Sequence, residues 1–153
     1  MKRLVVALAI GGLAASAMAA AQEMPQALAA LAEKAQLGGP VAEWCRAEFR
    51  SGQPGAFAVA VASAAGGRYV ALHADGRATL LGAFKGGPDL SCYSSREAQD
   101  LDDTIRQSET VQGRVRPRWK TTVVCGFIDE TSAACWQYAP DDRVFVQVGA
   151  WIT

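Results

Sequence analysis

Four cysteines, Cys45, Cys92, Cys125 and Cys135, limit what this 153-residue chain can fold into more than any other feature. What they do depends on the compartment, and the N-terminus speaks to that. Lys2 and Arg3 precede an apolar run from Leu4 to Leu13, which passes into a small-residue tract ending at Ala21. A charged n-region, a hydrophobic h-region and an Ala-x-Ala exit form the pattern of a secretory signal peptide. The cut is expected after Ala21, with Ala19 as the other exit, so residues 1–21 form a removable leader. A retained anchor is the rival reading, but a span needs roughly 20 strongly apolar residues. Leu4 to Ala21 is rich in Ala and Gly, which drive insertion weakly. The mature chain is therefore expected in the periplasm of a bacterial-type envelope or outside the cell, with no membrane span after cleavage.

Disulfides persist outside the cytoplasm, so an even set of cysteines reads as two bridges. Cys125 and Cys135 sit symmetrically about Glu130, between two strand-like runs joined by Asp129-Glu130-Thr131-Ser132. A hairpin in that register sets them face to face, which pairs Cys125 with Cys135 and leaves Cys45 for Cys92. In the chain-entropy model the short loop contributes roughly 2.8 kcal/mol and the long one roughly 4. Zinc is the competing use of four cysteines, but there is no Cys-x-x-Cys knuckle and only one histidine.

Removing the leader takes two of the fifteen basic residues and none of the fifteen acidic ones, leaving a formal charge of −2. A near-balanced domain has no general attraction for nucleic acid or anionic membrane. Residues 22–153 are enough for one domain.

Pattern along the chain predicts helices over about 24–50. Pro25, Leu28, Leu31 and Ala35 mark the first, which Gly38-Gly39 ends. Val41, Trp44, Cys45 and Phe49 give the second an apolar stripe. From Ala56 the period changes to two. Phe57, Val59 and Val61 open a three-strand meander whose second turn is Ala74-Asp75-Gly76-Arg77, a hairpin signal. Ser94 and Glu97 form a capping box for a further helix carrying Ala98, Leu101 and Ile105, with Asp100, Asp102 and Asp103 turned elsewhere. Strands are expected again over 114–119, 121–128, 134–138 and 143–152. This order predicts an α+β domain, an antiparallel sheet of about six strands with two or three helices packed on it.

Three constellations are candidates for function. Arg114, Arg116, Arg118 and Lys120 recur every second residue, which on a strand places four cations on one face. That stripe is either a site for a phosphate, an acidic glycan or an acidic protein, or a solvated edge paired with the acids of the preceding helix. His73 is the lone histidine, expected to be exposed beside the Asp-Gly turn. Cys92 and the serines around it lie near a helix start, yet no nucleophile elbow or cysteine-protease signature surrounds them. The carboxylate pairs Asp102-Asp103 and Asp141-Asp142 are sequence neighbours that diverge on a helix or sit in a turn. Trp136 and Tyr138, two apart on one sheet face, read as core or as a binding platform.

No nucleotide loop, metal set or cofactor motif is present. The expectation is an exported, disulfide-stabilised binding module without catalysis, whose partner is an envelope or secreted protein or an anionic ligand. A small extracytoplasmic hydrolase using His73 as base is the alternative, and a purely structural envelope component a third.

Overall fold

The computed structural model describes residues 23–153, so the predicted leader lies outside the described residues. Helix α1 (Gln26–Ala35) leads into β1 (Val41–Ala47), β2 (Ala56–Ser63), β3 (Gly66–Leu72) and β4 (Ala78–Lys85). These four strands form an antiparallel meander in chain order. Then come β5 (Leu90–Tyr93), α2 (Ser95–Gln107), β6 (Gln112–Val115), β7 (Val123–Phe127), β8 (Ser132–Ala139) and β9 (Val144–Ile152). The later strands make a second antiparallel sheet, ordered β5-β7-β8-β9-β6.

Strand sequence explains the layering. In β2, Phe57, Val59 and Val61 alternate with Ala56, Ala58 and Ala60, and all six are buried. A strand apolar on both faces must be covered on both. The branched and aromatic set packs with Leu28 and Leu31 of α1 and with Val70 and Leu72 of β3. The alanine set faces the second sheet, where Val124, Trp136 and Tyr138 fill the space the short side chains leave. The outer face of that second sheet, Val123, Cys125, Ala133, Cys135 and Val148, lies under Ala98, Leu101 and Ile105 of α2. The result is helix, sheet, sheet, helix.

Close approach between the sheets sets one glycine. A Cβ on Gly126 would stand 2.5 Å from the Tyr69 ring, so the bare backbone makes room for a fully buried tyrosine. The Tyr69 hydroxyl donates to the Phe127 carbonyl at 2.7 Å and accepts from the Asp89 N–H at 3.2 Å. A ring this size contributes on the order of 2–3 kcal/mol on burial, provided its hydroxyl finds such partners.

Both disulfides are formed. Cys45–Cys92 ties β1 to β5 and so joins the two sheets, while Cys125–Cys135 links facing residues of β7 and β8. The Asp129 carboxylate holds the intervening turn, accepting from the Thr131 and Ser132 N–H groups.

Three expectations are corrected. Residues 41–47 form strand β1, not a second helix. Their apolar positions fit either period, and the ladder to β2, with Trp44 opposite Val59 and Cys45 opposite Ala58, satisfies the backbone of both strands. Trp44 then packs with Phe57 on the α1 side while Cys45 turns inward. The described residues form nine strands in two sheets, not about six in one, and their two helices lie on opposite outer faces. The strand expected over 114–119 runs instead from Gln112 to Val115 and stops before Pro117, which has no N–H for a ladder. Among the described residues, no helix is long and apolar enough to cross a membrane.

Candidate functional site

Because β6 ends at Val115, the four cations expected on one strand face do not share one. Arg114 turns to α2, where its Nε and Nη2 each donate to an oxygen of Asp102 at 3.0 Å. Asp102 is 1% exposed, and its Oδ1 also accepts from the Val115 N–H at 2.7 Å. The Arg114 bonds hold its carboxyl below the usual carboxylate range, against the opposing effect of burial. Asp102 was expected off the apolar stripe of its helix, and the alternative pairing of the basic run with this helix's acids is made at Arg114. Asp102 is buried and clamps α2 to β6.

The rest of the basic run, residues 116–120, is held as an irregular segment by one buried amide. The Gln137 Oε1 on β8 accepts from the Arg118 N–H at 2.9 Å, and its Nε2 donates to the Trp119 carbonyl at 2.8 Å and the Thr121 carbonyl at 3.1 Å. The Arg116 N–H donates to the Val148 carbonyl. Fixed in this way, Arg118 and Lys120 border a shallow groove with Arg96 from the first turn of α2 and half-buried Trp119. The Arg118 guanidinium lies 4.9 Å from the Trp119 ring centre, an orienting cation–π contact. No carboxylate lines the groove. Among the described residues the ion pairs are Arg77–Asp75 and Arg114–Asp102, so none engages these three cations.

Trp136 and Tyr138 share a face of β8, as their spacing implies, but the face is internal. They are 7% and 1% exposed, packed between the sheets, and their rings offer no surface platform.

His73 is also inside. It directly follows β3, 8% exposed, within a box of Phe49, Tyr138 and Phe145 rings. Its Nε2 lies 3.1 Å from the Thr79 hydroxyl. Burial lowers its pKa below the ordinary 6.5, and the charges of Arg77 and Arg50 lower it further, with Asp75 opposing them. The imidazole is therefore neutral near pH 7.

His73 lines a cleft of about 140 Å³ between the β1–β2 loop and the β3–β4 turn, together with Phe49, Arg50, Gln53, Ala56, Asp75 and Arg77. Arg50 Nη2 donates to the Tyr138 hydroxyl at 3.1 Å, and its guanidinium lies 5.5 Å from the centre of that ring. Asp75 accepts from Arg77 twice, at Nε (2.8 Å) and at the backbone N–H (3.0 Å). Arg50 and Arg77 carry no spacing signal in the sequence. They meet because the β1–β2 loop and the Asp-Gly turn close the same end of the first sheet.

Several of the other candidates for chemistry are occupied. All four cysteines are bonded. The Ser94 hydroxyl accepts from the Glu97 N–H and the Glu97 carboxylate accepts from the Ser94 N–H, each at 3.1 Å, which completes the capping box. Asp141 and Asp142 are exposed in the β8–β9 turn. Among the described residues, no three His, Cys, Asp or Glu side chains converge to hold a metal ion. No known family model, curated protein or solved structure matches this chain, and the functional reading rests on these residues themselves.

Proposed function

We propose that this chain is an exported binding module that works outside the cytoplasm, without catalysis, on an anionic ligand. The observation that carries the reading is the groove at Arg96, Arg118 and Lys120, three cations beside an indole with no acid among them. Arg114, at the start of the same run, is by contrast committed to Asp102. Exposed cations fixed on a backbone that a buried glutamine restrains form instead a positive surface ready for a partner. The two disulfides support the compartment, since such bonds are kept where the surroundings are oxidising. The cysteines are bridged and Ser94 and Glu97 form a cap, which favours a reading without catalysis.

Retention of the mature protein on a sulfated-polysaccharide resin tests the reading. Replacing Arg118 and Lys120 together by Ser is expected to lower the eluting salt concentration, because surface charges act within a Debye length of about 10 Å at 0.1 M salt. Elution at the same salt for both proteins would remove the groove from consideration.

The hydrolase reading keeps one supporting observation, a neutral imidazole at the wall of a cleft. Hydrolytic activity towards a panel of ester and amide substrates, abolished by His73→Ala with the fold intact, would replace the binding module with that enzyme.

A further inference from the structure

The cleft at the end of the first sheet is built differently from the groove, and its construction has a chemical meaning of its own. We propose that it is a second ligand site, which takes a small oxyanion, a carboxylate or phosphate group, between the guanidinium groups of Arg50 and Arg77.

The geometry of each arginine supports this. Arg50 is held from behind by the buried Tyr138, through the hydroxyl at Nη2 and the ring face beneath its guanidinium. These contacts orient the fork without neutralising it, and no carboxylate pairs with Arg50 among the described residues. Arg77 is oriented by Asp75, which engages its Nε. Tyr138 is a further side-chain hydrogen-bond partner of this guanidinium, so the same buried phenol helps to aim both arginines. The cleft lining thus holds two guanidinium groups and one carboxylate, Asp75, which pairs with Arg77 alone, and the cleft keeps a net positive charge. Both cations line the cavity with His73 and act on its ring electrostatically.

The walls decide what fits. Phe49, Ala56 and Ala74 supply apolar surface, His73 a neutral ring and Gln53 an amide. A volume of about 140 Å³ equals the liquid share of roughly four to five waters. That room suits an oxyanion on a stem of a few atoms. Arginine forks match planar carboxylates and the faces of a phosphate by two parallel hydrogen bonds. Pre-oriented donors in a partly dry cavity bind such groups more strongly than surface lysines do.

The test measures binding of sodium phosphate and of sodium acetate to the full mature protein by calorimetry, with thermal midpoints recorded against sodium chloride at matched ionic strength. Saturable binding of one or both anions is expected, with a midpoint gain of roughly 10 °C at a hundredfold excess over Kd. Arg77→Gln, an exposed and fold-neutral change, and Arg50→Gln should each weaken binding at least tenfold. Preference for phosphate assigns the site to a phosphorylated ligand, and preference for acetate to a carboxylate. The Arg118→Ser, Lys120→Ser double variant separates this site from the groove, since it should bind the small anion as the parent does. No saturable binding beyond chloride would overturn the proposal. So would binding that survives loss of both Arg50 and Arg77, or that disappears in the groove variant.

Discussion

Two regions of this domain carry an arginine paired with an aspartate, and the pairs have opposite consequences. Under α2, Asp102 is buried and gives one oxygen to Arg114 alone, while the other serves both Arg114 and the Val115 N–H. At the open end of the first sheet, Asp75 and Arg77 are both more than half exposed. Buried, a carboxylate must find every hydrogen bond it can, and the arginine that supplies them is committed to the fold. Exposed, the same pair contributes little to stability and acts mainly to aim a guanidinium. Burial of the acid, more than the number of arginines, decides which cations remain available to a ligand.

Removing each acid in turn is the most direct way to break this comparison. Asp102→Ala leaves a buried N–H unpaired and unhooks β6 from α2, with an expected loss of about 2–3 kcal/mol. That corresponds to a thermal midpoint lower by roughly 10 °C in a domain of this size. Freed of its partner, Arg114 should also raise retention on the sulfated resin. Asp75→Ala should leave the denaturation curve unchanged within experimental scatter. Equal losses from the two changes, by chemical denaturation, would erase the distinction.

Gln137 sharpens the same contrast from the other side, because it fixes cations without pairing them. Gln137→Leu removes the acceptor of the Arg118 N–H and the donor to two carbonyls of the loop. The apolar replacement fills the space, so the expected cost is about 1–2 kcal/mol. The salt needed to elute the protein from the resin should fall as well, since Arg118 and Lys120 lose their fixed backbone. A variant that is less stable yet retained as strongly as the parent would show that the groove's order is irrelevant to its affinity.

Much of the fold was legible where a residue pattern maps onto one backbone conformation. The capping box at Ser94, the period-two run of β2 and the Asp-Gly hairpin all specify local geometry. The Cys125–Cys135 register could be read because its turn is symmetrical. β1 was not legible as a strand. Val41, Trp44 and Cys45 satisfy a helical stripe as well as an alternation, and only the ladder to β2 and the bridge to Cys92 choose between them. The basic run misled for a related reason. Spacing by two gives one face only if the strand continues, and Pro117 ends it. The cleft left no trace at all, since Arg50, His73, Arg77 and Tyr138 converge by topology from three separate parts of the chain. Even the exposure of His73 was misjudged. A turn residue is usually at the surface, but Phe145 and Tyr138 arrive from the second sheet to cover this one.

The smallest expected effect is the one that burial of His73 imposes on stability as pH changes. Its folded-state pKa lies below 6.5, chiefly because burial disfavours the charged ring, with Arg77 and Arg50 adding repulsion. The unfolded chain therefore takes up the proton first as pH falls. Stability from this group is complete above about pH 6.5 and is lost as pH falls from there through the folded-state pKa. Among the carboxylates that act in the acid range, Asp102 and Glu43 have opposite signs. Asp102, whose pKa is lowered by Arg114, contributes stability that is lost only on acidification below the usual carboxylate range. Glu43 is raised by burial, and its cost to the fold appears as pH rises through 4.5 and beyond. A single pH profile therefore mixes all three, whereas the difference between parent and His73→Gln isolates the imidazole. Thermal midpoints measured from pH 7.5 to 5 should converge for the two proteins as pH falls, the parent losing ground that the variant does not. Parallel profiles across that range would mean that the ring titrates as it does in the unfolded chain, with Arg50 and Arg77 exerting no field in the cleft.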